Sequence, residues 1–342
     1  MGVSMIWEFL RARNPLCLPA SSLPGTLLLM ARLVIMVLLV RGYATVSMPG
    51  RGVPFLAIFE SFGTDYGWKR ALTAMCLSGA ALVFLNLLPR LGCLLVGASL
   101  VLGTSIDLAG YSNSRLFSGC LLLLTALQDG TTPARFALRA QIFLLYLGAT
   151  LSKVFEPDWW SGQYFEFWLR EKLGILWYAH LADSLPPMSL SIFMGVTTIV
   201  MEICICTCLL SRHLWPGAFA VAVVFHVAAF LVCGLDFGVF LYVSILSFLV
   251  FAPDDLIHRV ATLPVHSAAS RLIASPAVWM LIMLMLPLSG QLWPMGQKIA
   301  VASVALMVLW IAWVFLRAAR GRAVSRVRPC FRVCRNVRRQ IG

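Results

Sequence analysis

Ten apolar stretches, at about 25–46, 71–88, 92–108, 115–128, 137–153, 188–210, 215–233, 235–251, 275–289 and 299–316, fill most of this 342-residue chain. A helix that crosses a bilayer needs about 20 apolar residues, so the shorter stretches are expected to tilt or re-enter. Hydrophobic residues make up 60% of the chain and charged residues 12%, which excludes an ordinary soluble domain. Such a domain carries roughly twice that charged share. The expected architecture is all-α, a polytopic transmembrane helical bundle of about 8–10 spans.

Orientation follows from the basic residues. Nine of the 27 Lys and Arg residues are arginines crowded into 317–339, so the net charge of +13 reads as an anchor to anionic lipid on the cytoplasmic side. It does not argue for nucleic acid. The run Trp215–Phe251 contains no Lys or Arg, and as one helix it would be about 55 Å long. The break Cys233-Gly234-Leu235-Asp236-Phe237-Gly238 divides it into two spans. With ten crossings both termini are cytoplasmic, on the side that also receives Arg90, Arg135, Arg139 and Arg212. Lys69 and Arg70 are the main exceptions. The segment from about Phe155 to Pro187, rich in Trp and Tyr, then faces outward, where such rings favour the headgroup zone. The apolar run from Gly25 is too long for a cleaved signal core and reads as a retained helix.

Against this apolar background six ionisable groups stand out: Arg32, Asp107, Lys153, Glu202, His226 and Asp236. A charge at the centre of a span costs about 2.5–3.5 kcal/mol on insertion scales, so together they point to a polar chamber between helices. Arg139, Tyr146 and Lys153 are seven apart, which returns them to nearly one helical face. Ser191, Gly195, Thr198 and Glu202 form a second stripe. Glu202 reads either as a neutral or Arg32-paired packing residue or as a proton acceptor in a cavity. Lys153 either snorkels to the interface or enters the chamber. His226 reads as a packing residue or as a proton-exchanging imidazole; Asp236 reads first as a helix cap. The cysteines in the apolar stretches behave as small hydrophobes, and Cys204, Cys206 and Cys208 lack zinc spacing. No nucleotide loop or Ser-His-Asp signature is present.

The stretch Gln141-Ile-Phe-Leu-Leu-Tyr146-Leu-Gly-Ala149-Thr-Leu-Ser-Lys153, followed by Asp158-Trp159-Trp160-Ser161-Gly162, resembles the signature of the HTTM family. That family comprises the membrane portion of vitamin K-dependent gamma-carboxylase and its bacterial relatives. Glu202 ahead of Arg212, the pair Phe225-His226 and the segment ending Phe251-Ala252-Pro253 extend the resemblance, in order and spacing, from about residue 25 to 255. The resemblance divides the chain into a cytoplasmic segment 1–24, an HTTM-like transmembrane domain 25–255, further transmembrane helices 256–318 and a basic cytoplasmic tail 319–342. It implies catalytic roles for Lys153, as the base at the outer membrane face, and for His226 and Glu202. It implies a lipid-soluble ligand, such as a reduced quinone of the vitamin K type, beside Tyr146, Trp159 and Trp160. A desolvated lysine suits the role because burial disfavours its charged form.

The sequence departs from the carboxylase at two points. Asn113-Ser114 stands where the carboxylase has Asn-His, and the chain ends after its basic tail without a large soluble lumenal domain, so a full protein carboxylase is not expected. Three readings stay open: a membrane enzyme acting on a quinone-like substrate, a scaffold or maturation factor holding a protein partner at the outer Trp-rich loop, and a proton-coupled transporter. The expected location is the bacterial inner membrane, with the endoplasmic reticulum as the alternative.

Overall fold

A computed structural model describes residues 23–40, 42, 66–106, 111–128, 132–211, 214–233 and 239–251. Among the described residues every regular element is helical. The main helices are α1 (Gly25–Val40), α2 (Tyr66–Phe84), α3 (Pro89–Ile106), α4 (Asn113–Ala126) and α5 (Thr132–Phe155). Four short helical pieces follow: α6 (Pro157–Ser161), α7 (Gln163–Phe165), a π-helical stretch Glu166–Lys172 and α8 (Leu176–Asp183). Then come α9 (Ser189–Leu209), α10 (Trp215–Cys233) and α11 (Val239–Ser247), the last continued by a 3-10 turn Phe248–Phe251. These helices coincide with the first eight expected apolar stretches. The expected spans at 275–289 and 299–316, the arginine tail, Asp107, Arg212 and Asp236 lie outside the described residues.

Among the described residues, three helical segments, Pro89–Ile106, Arg135–Phe155 and Ser189–Leu209, are long and apolar enough to cross a membrane. Gly25–Val40, Trp215–Ala229 and Val239–Phe251 are shorter apolar helices. α10 is described to Cys233 and α11 from Val239, and residues 234–238, where the division of Trp215–Phe251 is expected, lie outside the described residues.

α1 is apolar on all sides and buried along most of its length, as a central helix must be. Its one charge, Arg32, is 5% exposed. The guanidinium donates from Nε to the Val83 carbonyl at 3.2 Å and from Nη2 to the Phe84 carbonyl at 3.0 Å. Those carbonyls end α2, where the last turn lacks intrahelical donors and carries partial negative charge. Arg32 therefore caps a neighbouring helix, and the expected alternative of an Arg32–Glu202 pair is not what forms.

α2, α3 and α4 pack in series. Pro89 opens α3, where its missing N–H and fixed φ cost nothing. The backbones of α2 and α3 approach at Gly79 and Gly92, and those of α3 and α4 at Gly97 and Gly119. A Cβ on Gly92 would lie 2.6 Å from the Gly79 carbonyl oxygen. Small residues at such crossings let apolar helices gain backbone-to-backbone packing, which drives association where water is absent. Hydroxyls inside the helices bond their own backbone, as Thr125 Oγ1 does to the Leu121 carbonyl at 2.7 Å. α9 packs against both α5 and α10, while α11 lies on α1.

Two glycines should therefore respond oppositely to alanine. Gly92→Ala must push α2 from α3 and is expected to destabilise by about 1–3 kcal/mol. Gly148, in α5, has open space around its Cβ position, so Gly148→Ala should be neutral or stabilising by about 0.5–1 kcal/mol. Thermal unfolding of the detergent-purified variants measures both.

Candidate functional site

The stripe Ser191, Gly195, Thr198 and Glu202 faces α5 and the short helices that follow it. Glu202 is 4% exposed. Lys153, at the last turn of α5, donates from Nζ to Oε1 and Oε2 of Glu202, each at 2.9 Å, and to the Ala149 carbonyl at 3.1 Å. An ammonium has three hydrogens, and here each has an acceptor. The Trp159 ring lies 5.0 Å from Nζ and covers a further side as a cation–π contact. Lys153 thus enters the chamber instead of snorkelling, because a carboxylate waits there.

Two turns down α5, buried Tyr146 meets His226 of α10, with the phenol oxygen 2.9 Å from Nε2. His226 is 1% exposed, and its Nδ1 has no hydrogen-bond partner among the described residues. Arg139, the third member of the seven-residue series, sits at the other end of α5 with its guanidinium 5.4 Å from the Phe251 ring centroid. The series shares a face, and its upper two members form the site.

The aromatic wall comes from the segment after α5. Pro157 opens α6, and Gly162 ends it at φ +80°, a left-handed conformation that favours glycine. A Cβ on Gly162 would also meet Ser191 and Ile192 of α9. One turn further along α9, a Cβ on Gly195 would overlap the Trp159 carbonyl oxygen. These two glycines seat the turn against α9 and bring Trp159 over Lys153. Trp159 stacks on Tyr164 at 4.1 Å and 18°, and its edge meets Phe165 at 5.3 Å. Trp159, Tyr164, Phe165 and Trp168 of this Trp-rich segment turn inward and line a cavity. Trp160 parts from its neighbour. It is 44% exposed, gives its indole N–H to the Val154 carbonyl, and does not line the cavity.

A polar clamp fixes this segment. Glu166, at the start of the π-helical stretch, accepts from Tyr178 at 2.7 Å and Ser191 at 2.9 Å through Oε2, and pairs with Arg170 through Oε1. Arg170 also reaches Asp183 at 2.9 Å. Burial, then the Glu166 carboxylate, push the Tyr178 phenol up to about 12 against the opposing Ser191 hydrogen bond and Arg170. The π-helical turn, a form often found at functional sites, carries the Glu166 and Trp168 sides of this wall.

The cavity between α5, α9, α10 and the aromatic wall has a volume of about 420 Å³. That is within the range of small-molecule sites. Lys153, Glu202, Tyr146 and His226 all line it, among mostly apolar neighbours, and the exposed lining residues Ser152, Phe193 and Ala228 mark its open side. Asn113 reaches the same wall and accepts from Tyr111 at 2.7 Å, while Ser114 is buried and bonds Ser112. Sequence reasoning missed Phe165, Met194 and Phe240 as lining residues, since nothing separates them from other packing positions. No cluster that could hold a metal ion occurs among the described residues.

Residues 100–255 match the family model described as the HTTM domain. The interval contains every residue of this cavity, and it begins later than the residue 25 from which the resemblance was followed. No curated protein and no solved structure matches the chain.

Removing one member of the buried ion pair strands the other. Lys153→Met is expected to cost about 3–5 kcal/mol of stability, and the double change Lys153→Met with Glu202→Gln should recover most of it; thermal unfolding of the three proteins reads this. The clamp has its own signature. An unfolded tyrosine loses its proton near 10.0 and Tyr178 holds it to about 12. Its contribution is full below the lower value and is lost as pH rises through the higher one. Tyr178→Phe should remove that alkaline loss, followed through the Trp fluorescence of the segment between α5 and α9.

Proposed function

We propose that the HTTM domain of residues 100–255 makes this chain a multi-pass membrane enzyme that takes a proton from a lipid-soluble, ring-bearing substrate. One observation carries the reading: Lys153, Glu202, Tyr146 and His226, drawn from three helices, line one cavity with an aromatic wall. Lys153 and Glu202 are the acid–base pair. Shifting a proton from Nζ to a carboxylate oxygen across 2.9 Å leaves an amine with a lone pair and changes no net charge. The amine is then the base that the resemblance assigns to Lys153, and Glu202 stores its proton. Tyr146 holds His226 by Nε2, which fixes the imidazole in the wall of the cavity. Trp159 and Tyr164 offer flat faces for a ring.

A reduced quinone of the vitamin K type, the ligand the resemblance supplies, fits these residues in its ring, its polar oxygens and its apolar chain. It would contribute an acidic ring hydroxyl. The open side flanked by Phe193 and Ala228, on the outward faces of α9 and α10, supports access from the bilayer. The remaining spans, with both termini cytoplasmic in a bacterial inner membrane, complete the proposed topology, and the arginine tail binds anionic lipid. A second reading, a scaffold for a protein partner, draws on the exposed Phe167, Leu176 and Trp177 of the outer segment. It expects copurification of a partner that depends on Trp177 and survives changes at Lys153.

Lys153→Arg separates chemistry from folding. Arginine can pair with Glu202 but does not deprotonate. The full chain in nanodiscs, given reduced vitamin K under oxygen, is expected to consume it above the uncatalysed rate. Lys153→Arg should fall by at least about 100-fold while keeping its unfolding temperature. Turnover that survives in this variant rules out Lys153 as the base.

A further inference from the structure

We infer that Glu202 is a specificity determinant: it saturates the Lys153 ammonium, so that the cavity rejects anionic amphiphiles and takes uncharged, hydrogen-bond-donating ones. The inference rests on the reading that the cavity receives a lipid-soluble ligand, and it adds the charge class of that ligand. The geometry behind it is simple. Nζ has three hydrogens, and they go to Glu202 Oε1, Glu202 Oε2 and the Ala149 carbonyl, at 2.9, 2.9 and 3.1 Å. The Trp159 ring covers a fourth side at 5.0 Å. No ammonium hydrogen is left for a carboxylate or phosphate. The charges of the pair cancel, so an anion entering this mostly apolar cavity would lose its hydration for no matching cation. Both side chains line the cavity, and each carboxylate oxygen has a further lone pair to which a ligand can donate. A donor such as a phenol or alcohol meets an acceptor there, and an anion meets like charge. A lysine alone in an aromatic-walled cavity would have the opposite taste, for fatty acids and other lipid anions. Glu202 reverses it.

The test compares two probes of matched shape, p-dodecylphenol and p-dodecylbenzoate, on the purified full chain in neutral-lipid nanodiscs, with bound ligand counted by native mass spectrometry. The unchanged protein should hold the phenol at least about tenfold more tightly than the benzoate. Glu202→Gln uncovers the ammonium and should invert that order by a similar factor. The double variant Lys153→Met with Glu202→Gln, which has no uncovered charge, should lose the gained benzoate binding. A gain of affinity for an anion is not something a merely destabilised site produces, and the double variant guards against misfolding of the single one. If benzoate binds the unchanged protein as well as phenol does, and Glu202→Gln alters neither, the charge selection is wrong while the ligand cavity stands. If neither probe binds any of the three proteins, both the selection and the cavity reading fall.

Discussion

The ion pair between Lys153 and Glu202 is the contact on which the rest of the site depends. It joins the end of α5 to the middle of α9 through two hydrogen bonds of 2.9 Å. In an apolar environment an unpaired charge is costly, so each partner makes the other's position tolerable. The pair also fixes where neighbouring groups lie. Trp159 rests over the ammonium, and the Tyr146–His226 contact sits two turns along the same helix. A salt bridge of this kind is a weak source of net stability, and its retention is better understood through what the two groups do together.

Around that pair, the segment between α5 and α9 acts as a wall held by close contact and by hydrogen bonds. Gly162 and Gly195 allow backbone to approach backbone, and Glu166 ties Tyr178, Ser191 and Arg170 into one cluster. The aromatic residues line the cavity, and the residues of the polar cluster do not. The segment therefore works as folded structure and not as a loop laid passively over the helix ends.

Much of the fold was legible in the apolar runs, because a long hydrophobic stretch has few alternatives to a helix. The stripe from Ser191 to Glu202 was equally legible, since its spacing of four, three and four admits one face. The pairing of Lys153 with Glu202 was not, because 49 residues separate them and no local rule links the two helices. Arg32 misled for a different reason: its acceptors are backbone carbonyls of Val83 and Phe84, and every residue has one. Adjacent Trp159 and Trp160 carry the same chemistry in sequence. Which of them turns inward is decided by the handedness of the chain at Gly162 and by the missing Cβ at Gly195, features of the neighbours that composition does not reveal.

The Arg32 cap bears on the order in which the bundle comes together. The cation sits in the middle of α1, and two of its acceptors sit at the end of α2, the next helix among the described residues. Without the end of α2 that guanidinium loses both of those acceptors, and an apolar helix that carries it is a poorer resident of a bilayer interior. α1 is thus expected to settle together with α2 and not ahead of it.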